Sequence, residues 1–233
     1  MSSHNTYSNQ LIIISLLPIM RCKKFFLFMS FELGLGLLGL AGLMWAGIQI
    51  LPLSPDWVNS ALGGTSAAAA TYLTWLVVMR IFPTLQRELL PSLEQFRALF
   101  ARSKLWQISL ISAAAGVGEE LLFRGFIQSF ASQHWGTGYA IAIASLIFAA
   151  GHALSLTYFM ITLVMGLAFG WVYAQNGDLL LLMVWHGVYD FIAITVILHR
   201  PRWLLAGYLW QGPSEPAIKT DTDPRGTNEK TRQ

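Results

Sequence analysis

Charge is what this sequence has least of. Lys, Arg, Asp and Glu make up 12% of the 233 residues, about half the share of a water-soluble domain, which leaves too little polar surface to cover a globule in water. Cysteine is scarcer still. Cys22 stands alone, which excludes an internal disulfide, and Met20-Arg21-Cys22 lacks the small residues that a bacterial lipoprotein signal places before its cysteine. Cys22 is assigned no role. A secretory signal peptide is not expected either, because the apolar run Leu11 to Met20 is followed, not preceded, by its basic residues. The sequence contains no internal repeat, no low-complexity block, and none of the HExxH, GxSG or GxGD signatures of other membrane proteases. The net charge of +3 is small and implies no nucleic-acid partner.

What is abundant is apolar sequence: 55% of the chain, with a mean hydropathy of +0.52. About 20 apolar residues span a bilayer as a helix, and six runs come near that length: Phe25 to Leu53, Ala61 to Met79, Leu105 to Phe130, Tyr139 to Leu156, Thr157 to Ala174 and Leu179 to Leu198. The fold expected is therefore all-α, a polytopic integral membrane bundle of about six transmembrane helices. Residues 80 to 104 differ. Five basic residues and two acids accompany Leu89, Leu93, Phe96 and Phe100 at helical spacing, the pattern of an amphipathic helix on the inner membrane surface. The expected organisation is a cytoplasmic lead over residues 1–24, a membrane domain over 25–210 with its motif-bearing core at 105–199, and a disordered tail over 211–233, where four acids and four bases alternate with Pro and Thr. Ten Lys and Arg would adjoin spans on one side, while the other side holds Asp56 and Asp178. The positive-inside rule then places both termini in the cytoplasm.

Against this apolar background, six ionisable residues lie inside the predicted spans: Glu119, Glu120, Arg124, His152, His186 and Asp190. Each charge at mid-bilayer costs about 2.5–3.5 kcal/mol, so the group must be paired, solvated in a cavity, or used. Glu120 and Arg124 are four residues apart, as are Phe148 and His152, and His186 and Asp190, so each pair shares a helix face. Neighbouring Glu119 and Glu120 point about 100° apart on a helix, which divides their roles. Glu120 is expected to pair with Arg124. Glu119 is expected to enter a cavity shared with His152, His186 and Asp190, where a partly dry carboxylate is a better general base for water at working pH. One depth count conflicts with this. From the predicted inner boundaries Glu119 lies about 21 Å deep and His152 about 6 Å, at 1.5 Å per residue, so tilt, a re-entrant segment or different boundaries must bring them level.

The residues themselves carry a resemblance. Glu119-Glu120-Leu121-Leu122-Phe123-Arg124 resembles an EExxxR motif, Phe148-Ala149-Ala150-Gly151-His152 an FxxxH motif, and His186-Gly187-Val188-Tyr189-Asp190 an HxxxN/D motif. In that order on successive hydrophobic segments, over roughly Ser112 to Leu198, they resemble the CAAX prenyl protease and bacteriocin-processing family, also called CPBP or Abi. The resemblance implies an intramembrane endopeptidase that cleaves a membrane-associated peptide or protein in the lipid bilayer, in a bacterial inner membrane. It implies that Glu119 activates water with help from His152, and that His186 and Asp190 steady the oxyanion. Asp190 departs from the Asn usual in eukaryotic prenyl proteases; an ionised Asp would repel an oxyanion, so Asp190 must be protonated, paired with His186 or bound to a metal.

Glu119, His152, His186 and Asp190 also form a two-histidine, two-carboxylate set of the kind that holds zinc. The cofactor expectation is thus none, or a divalent metal, with the metal-free glutamate mechanism preferred because no two ligands share an HExxH turn. Two other function classes stand beside the protease: a proton-coupled small transporter, in which the buried acids and histidines relay protons, and a non-catalytic bacteriocin-immunity-like membrane protein.

Overall fold

The computed structural model describes residues 4–49 and 56–200, with side chains from residue 23 onward; the expected tail over 211–233 lies outside the described residues. Among those described, every regular element is helical. They are α1 (His4–Ala46), α2 (Trp57–Ile81), α3 (Pro83–Phe100), α4 (Leu105–Glu120), a π-helical segment (Leu121–Gln128), α5 (Ser129–Trp135), α6 (Thr137–Gly151), α7 (Leu156–Asn176) and α8 (Leu179–His199). The protein is an all-α membrane bundle. Four stretches are long and apolar enough to cross a bilayer: Lys23–Ala46, Trp57–Ile81, Leu156–Asn176 and Leu179–His199. Their outward faces carry large apolar side chains such as Leu27, Leu37, Leu62, Leu73 and Val164, all more than half exposed, as a lipid-facing surface requires.

The other two predicted spans take different forms. Leu105 to Phe130 belongs to a helical rod that runs from α4 through the π-helical segment into α5. Tyr139 to Leu156 is replaced by α6, which stops at Gly151. Its 15 residues rise about 22 Å, short of the roughly 30 Å hydrocarbon layer. The chain turns through residues 152–155, and α7 restarts at Leu156 with Ser155 as its cap, the hydroxyl accepting Tyr158 N–H at 3.1 Å. At its other end α1 extends back to His4 with no break near residue 24.

Local chemistry fixes the ends of these helices. Gly47, at φ +64°, closes α1, and Gly177, at φ +67°, closes α7, each in the left-handed region open to glycine. Asp56 and Asp178, the two acids of the expected outer loops, are both N-caps, accepting from Asn59 N–H and Leu181 N–H. Asp178 also accepts the Ser60 hydroxyl at 2.6 Å, tying the starts of α2 and α8 together. α3 is amphipathic as its spacing predicts; it buries Gln86, Leu89, Ser92 and Phe100 and holds the 152–155 corner through Ser92 to Ser155 at 2.9 Å and Glu88 to Thr157 at 2.7 Å.

Glycine sets the helix spacing. α8 packs between α2 and α4. A Cβ on Gly64 would lie 2.5 Å from Leu181 O, one on Gly116 2.5 Å from Met183 O, and one on Gly187 3.0 Å from Ser112 O. α1 packs on α4 and the π-helical segment in the same way, through Gly36 on Gly118, Gly39 on Leu122 and Gly42 on Phe126. These backbones approach as closely as small residues allow in lipid. Gly166 and Gly170, four residues apart, likewise pack α7 against Ser145 and Ile141 of α6.

Candidate active site

The two acids of the EExxxR motif are the last residues of α4, and the helix widens to π geometry immediately after them. Such widened turns recur at functional sites. The consequence here is a fully buried arginine. Arg124 has no exposed side-chain surface; its Nη1 donates to Glu120 Oε1 at 3.0 Å, and its Nη2 to the carbonyl oxygen of Gly166 at 3.2 Å. Its guanidinium carbon lies 4.6 Å from the Phe148 ring centroid and 5.2 Å from that of Phe169, within cation–π range. One residue on, Gly125 leaves room for Leu43 and Leu179.

The expected Glu120–Arg124 pair is present, and it has a third member. Glu120 Oε1 also accepts from His186 Nδ1 at 2.8 Å. The bundle makes this contact: Gly116 and Gly187 bring α4 and α8 into backbone contact, and His186 is the residue beside Gly187. The carboxylate in hydrogen-bond contact with the His186 ring is that of Glu120, a partner that helical spacing alone did not predict. A carboxylate held by arginine and bonded to Nδ1 fixes the tautomer and tilt of the imidazole and leaves Nε2 for chemistry. Nε2 lies 3.6 Å from Asp190 Oδ2.

Glu119 and His152 form the second pair. Glu119 is 5% exposed, its Oε2 has no hydrogen-bond partner, and that oxygen lies 3.7 Å from His152 Nε2. His152 Nδ1 is 2.8 Å from the carbonyl oxygen of Phe148; since a carbonyl only accepts, Nδ1 carries a proton, and Nε2 is the ring nitrogen that faces Glu119. The depth conflict disappears because α6 is short. Measured from the corner at Gly136, Glu119 lies down one arm of a helical hairpin and His152 down the other at nearly equal residue counts, whereas the sequence count assumed that α6 ran to the membrane surface. Phe148 serves both pairs, with its ring centroid 4.7 Å from that of His152 and 5.8 Å from that of His186.

Glu119, Glu120, Arg124, His152, His186 and Asp190 thus line one continuous polar seam through an apolar bundle. Sequence reasoning passed over three contributors: Phe148 as the ring joining the pairs, Gly166 as the acceptor for Arg124, and a further buried carboxyl, Glu32 of α1. The only signal for Glu32 was its solitary charge in the first span. The set expected for zinc forms two pairs, Glu119 with His152 and His186 with Asp190; among the described residues no three His, Cys, Asp or Glu side chains are arranged to hold a metal ion. Asp190 also lines a largely apolar cavity, with Tyr72, Trp75, Leu93, Phe96, Tyr158 and Tyr189 among its walls.

A protein-family model described as type II CAAX prenyl endopeptidase Rce1-like matches residues 101–192, the segment that holds all three motifs. Neither the curated proteins nor the solved structures compared with the chain include a match. The matched segment coincides with the rod, the short hairpin and the greater part of α8, the elements that build the polar seam, and over that segment the chain is similar to the type II CAAX prenyl endopeptidases.

Proposed function

We propose that this protein hydrolyses a peptide bond of a membrane-associated substrate with water that Glu119 activates. The observation that carries the reading is the unpartnered Glu119 Oε2 facing His152 Nε2 across 3.7 Å. That gap is too long for a direct hydrogen bond and suits one bridging water. In this reading Glu119 removes a proton from the water as its oxygen bonds to the scissile carbonyl carbon. His152 accepts the other O–H and orients the nucleophile. The carbonyl oxygen becomes an oxyanion, which His186, in its imidazolium form, meets from Nε2 while Nδ1 stays on Glu120. Preorganised donors of this kind commonly supply a large share of the rate. The proton on Glu119 then passes to the amide nitrogen as the C–N bond breaks. Asp190 balances the imidazolium, which reconciles a carboxylate at this position with an oxyanion nearby.

The largely apolar cavity that Asp190 lines is where an apolar portion of the substrate would sit with its peptide bond at the seam. We place the protein in a bacterial inner membrane with both termini cytoplasmic, since the helix directions gather Lys23, Lys24, the 80–104 stretch and Arg200 on one side.

Cleavage of a lipid-tethered, quenched fluorescent peptide by purified protein tests the mechanism. Glu119→Gln should lose activity by about 10²- to 10⁴-fold while still inserting and folding, and a chelator should leave the wild type active. Undiminished cleavage by Glu119→Gln would overturn the reading. Loss of activity with chelator and its return with zinc would replace the glutamate mechanism with a metal-dependent one.

A further inference from the structure

Glu32 is a carboxyl in the middle of a membrane-crossing helix, and none of the three motifs accounts for it. It is 7% exposed, and its Oε2 is buried without a hydrogen-bond partner. A charge at such depth costs about 2.5–3.5 kcal/mol unless it is paired, solvated or used. Its position is set by the tightest backbone contact between α1 and α4. A Cβ on Gly118 would lie 2.3 Å from the Glu32 carbonyl oxygen, and one on Gly36 3.3 Å from the Gly118 Cα. The residue after Gly118 is Glu119. The electrostatic partners of Glu32 are Glu119, His186, Asp190 and His152, the four side chains through which the proposed hydrolysis runs. Two buried carboxyl oxygens are left without partners on the two helices of this contact, Glu32 Oε2 on α1 and Glu119 Oε2 on α4, and an ordered water with about three polar partners is what satisfies buried atoms of this kind.

We propose that Glu32 is a positioning residue of the hydrolytic site, supplied by α1 from outside the matched segment, and that its protonated carboxyl donates a hydrogen bond to the attacking water. Two neighbouring buried carboxyls do not both ionise without large cost, so one carries the proton while the other serves as base. The water then gives one hydrogen to Glu119 and the other to His152, and receives one from Glu32. A single lone pair is left, aimed at the scissile carbonyl. Glu32 forms no covalent bond and keeps its proton throughout; its effect is on where the water points.

This inference rests on the hydrolytic reading above, and the experiment separates the two. The probe is a farnesylated CAAX peptide with a fluorophore and quencher flanking the cleavage region, and the same peptide on a transmembrane anchor serves as a second probe. Full-length wild type, Glu119→Gln, Glu32→Met, Glu32→Ala and Glu32→Gln are assayed in lipid vesicles with their melting temperatures measured. Glu32→Met removes the donor and should lower kcat about 10- to 100-fold with KM unchanged and melting temperature equal or higher, because a buried acid is exchanged for an apolar side chain of similar size. Glu32→Gln retains an N–H donor and should recover most of that rate. Should Glu32→Met fail to insert, Glu32→Ala set against Glu32→Gln provides the same contrast. Wild-type kcat in the donor-free variant would overturn the inference, as would a Glu32→Gln as slow as Glu32→Met, since an ionised carboxylate would then be required. If Glu119→Gln remains active, the hydrolytic reading itself has failed. If Glu119→Gln is inactive and Glu32→Met is fully active, the role of Glu32 alone is refuted.

Discussion

At the scale of single residues, the site is an exercise in keeping charge inside lipid. Arg124 and Glu120 are fully buried and neutralise each other at 3.0 Å, and the arginine is further held by a carbonyl and two aromatic rings. Removing one member of such a pair leaves the other uncompensated, at a cost of about 3–5 kcal/mol. Arg124→Met should therefore lower the thermal midpoint in detergent far more than the double variant Glu120→Gln with Arg124→Met, which removes both charges. Arg124→Lys should not restore the wild-type midpoint, because an ammonium lacks the planar fork that reaches Glu120 and Gly166 together. Asp190 offers a second measurement. With a side chain 32% exposed and 3.6 Å from His186 Nε2, it lies at the edge of the seam, so Asp190→Asn, which retains a polar group able to meet an oxyanion, should keep measurable cleavage, whereas Asp190→Leu should lose it by about 10²-fold or more. Wild-type rates in both variants would remove Asp190 from the mechanism.

Whole elements are placed by glycine contacts, and these separate cleanly from glycines that merely occur in helices. Gly116 meets Met183 O at the α4–α8 contact that brings His186 to Glu120, whereas Gly34 has nothing within 4 Å of a Cβ. Gly116→Val should push α8 off α4, break the His186–Glu120 hydrogen bond and abolish cleavage, with a lower melting temperature. Gly34→Ala should leave both near wild type, or raise stability by up to about 1 kcal/mol through helix propensity. The four glycines of α1 look alike in sequence; which of them bear contact depends on the facing helix, here Gly36, Gly39 and Gly42. The π-helical segment was likewise illegible, because Leu121–Gln128 reads as ordinary helical sequence and the widening is visible only in the hydrogen-bond spacing of the folded chain.

Over the whole molecule, helix direction and charge distribution combine into a topology that labelling can check. The chain has one cysteine, Cys22, so a Cys22→Ser background makes single-cysteine probes straightforward. Ser103→Cys, between α3 and α4, should react only with reagent given access to the cytoplasmic face, and Asn176→Cys, at the end of α7, only from the opposite face. Reaction of both from the same side would break the assigned orientation. The short α6 does not disturb the parity, since α6 descends and α7 returns to the same side before α8 crosses.

Composition and periodicity alone determined that the chain is helical, that it lives in lipid, and that a handful of costly polar residues at four-residue spacing must share a purpose. Those features are local: each depends on the transfer cost of a side chain and on which face of its own helix it occupies. The tertiary structure decided the partners. It ended α6 at Gly151 and so brought His152 level with Glu119; it gave Glu120 to His186 as well as to Arg124; and it set Glu32, far away in sequence, against the backbone beside Glu119. Helical spacing specifies a direction around one axis, and only the close approach of neighbouring backbones specifies what stands in that direction.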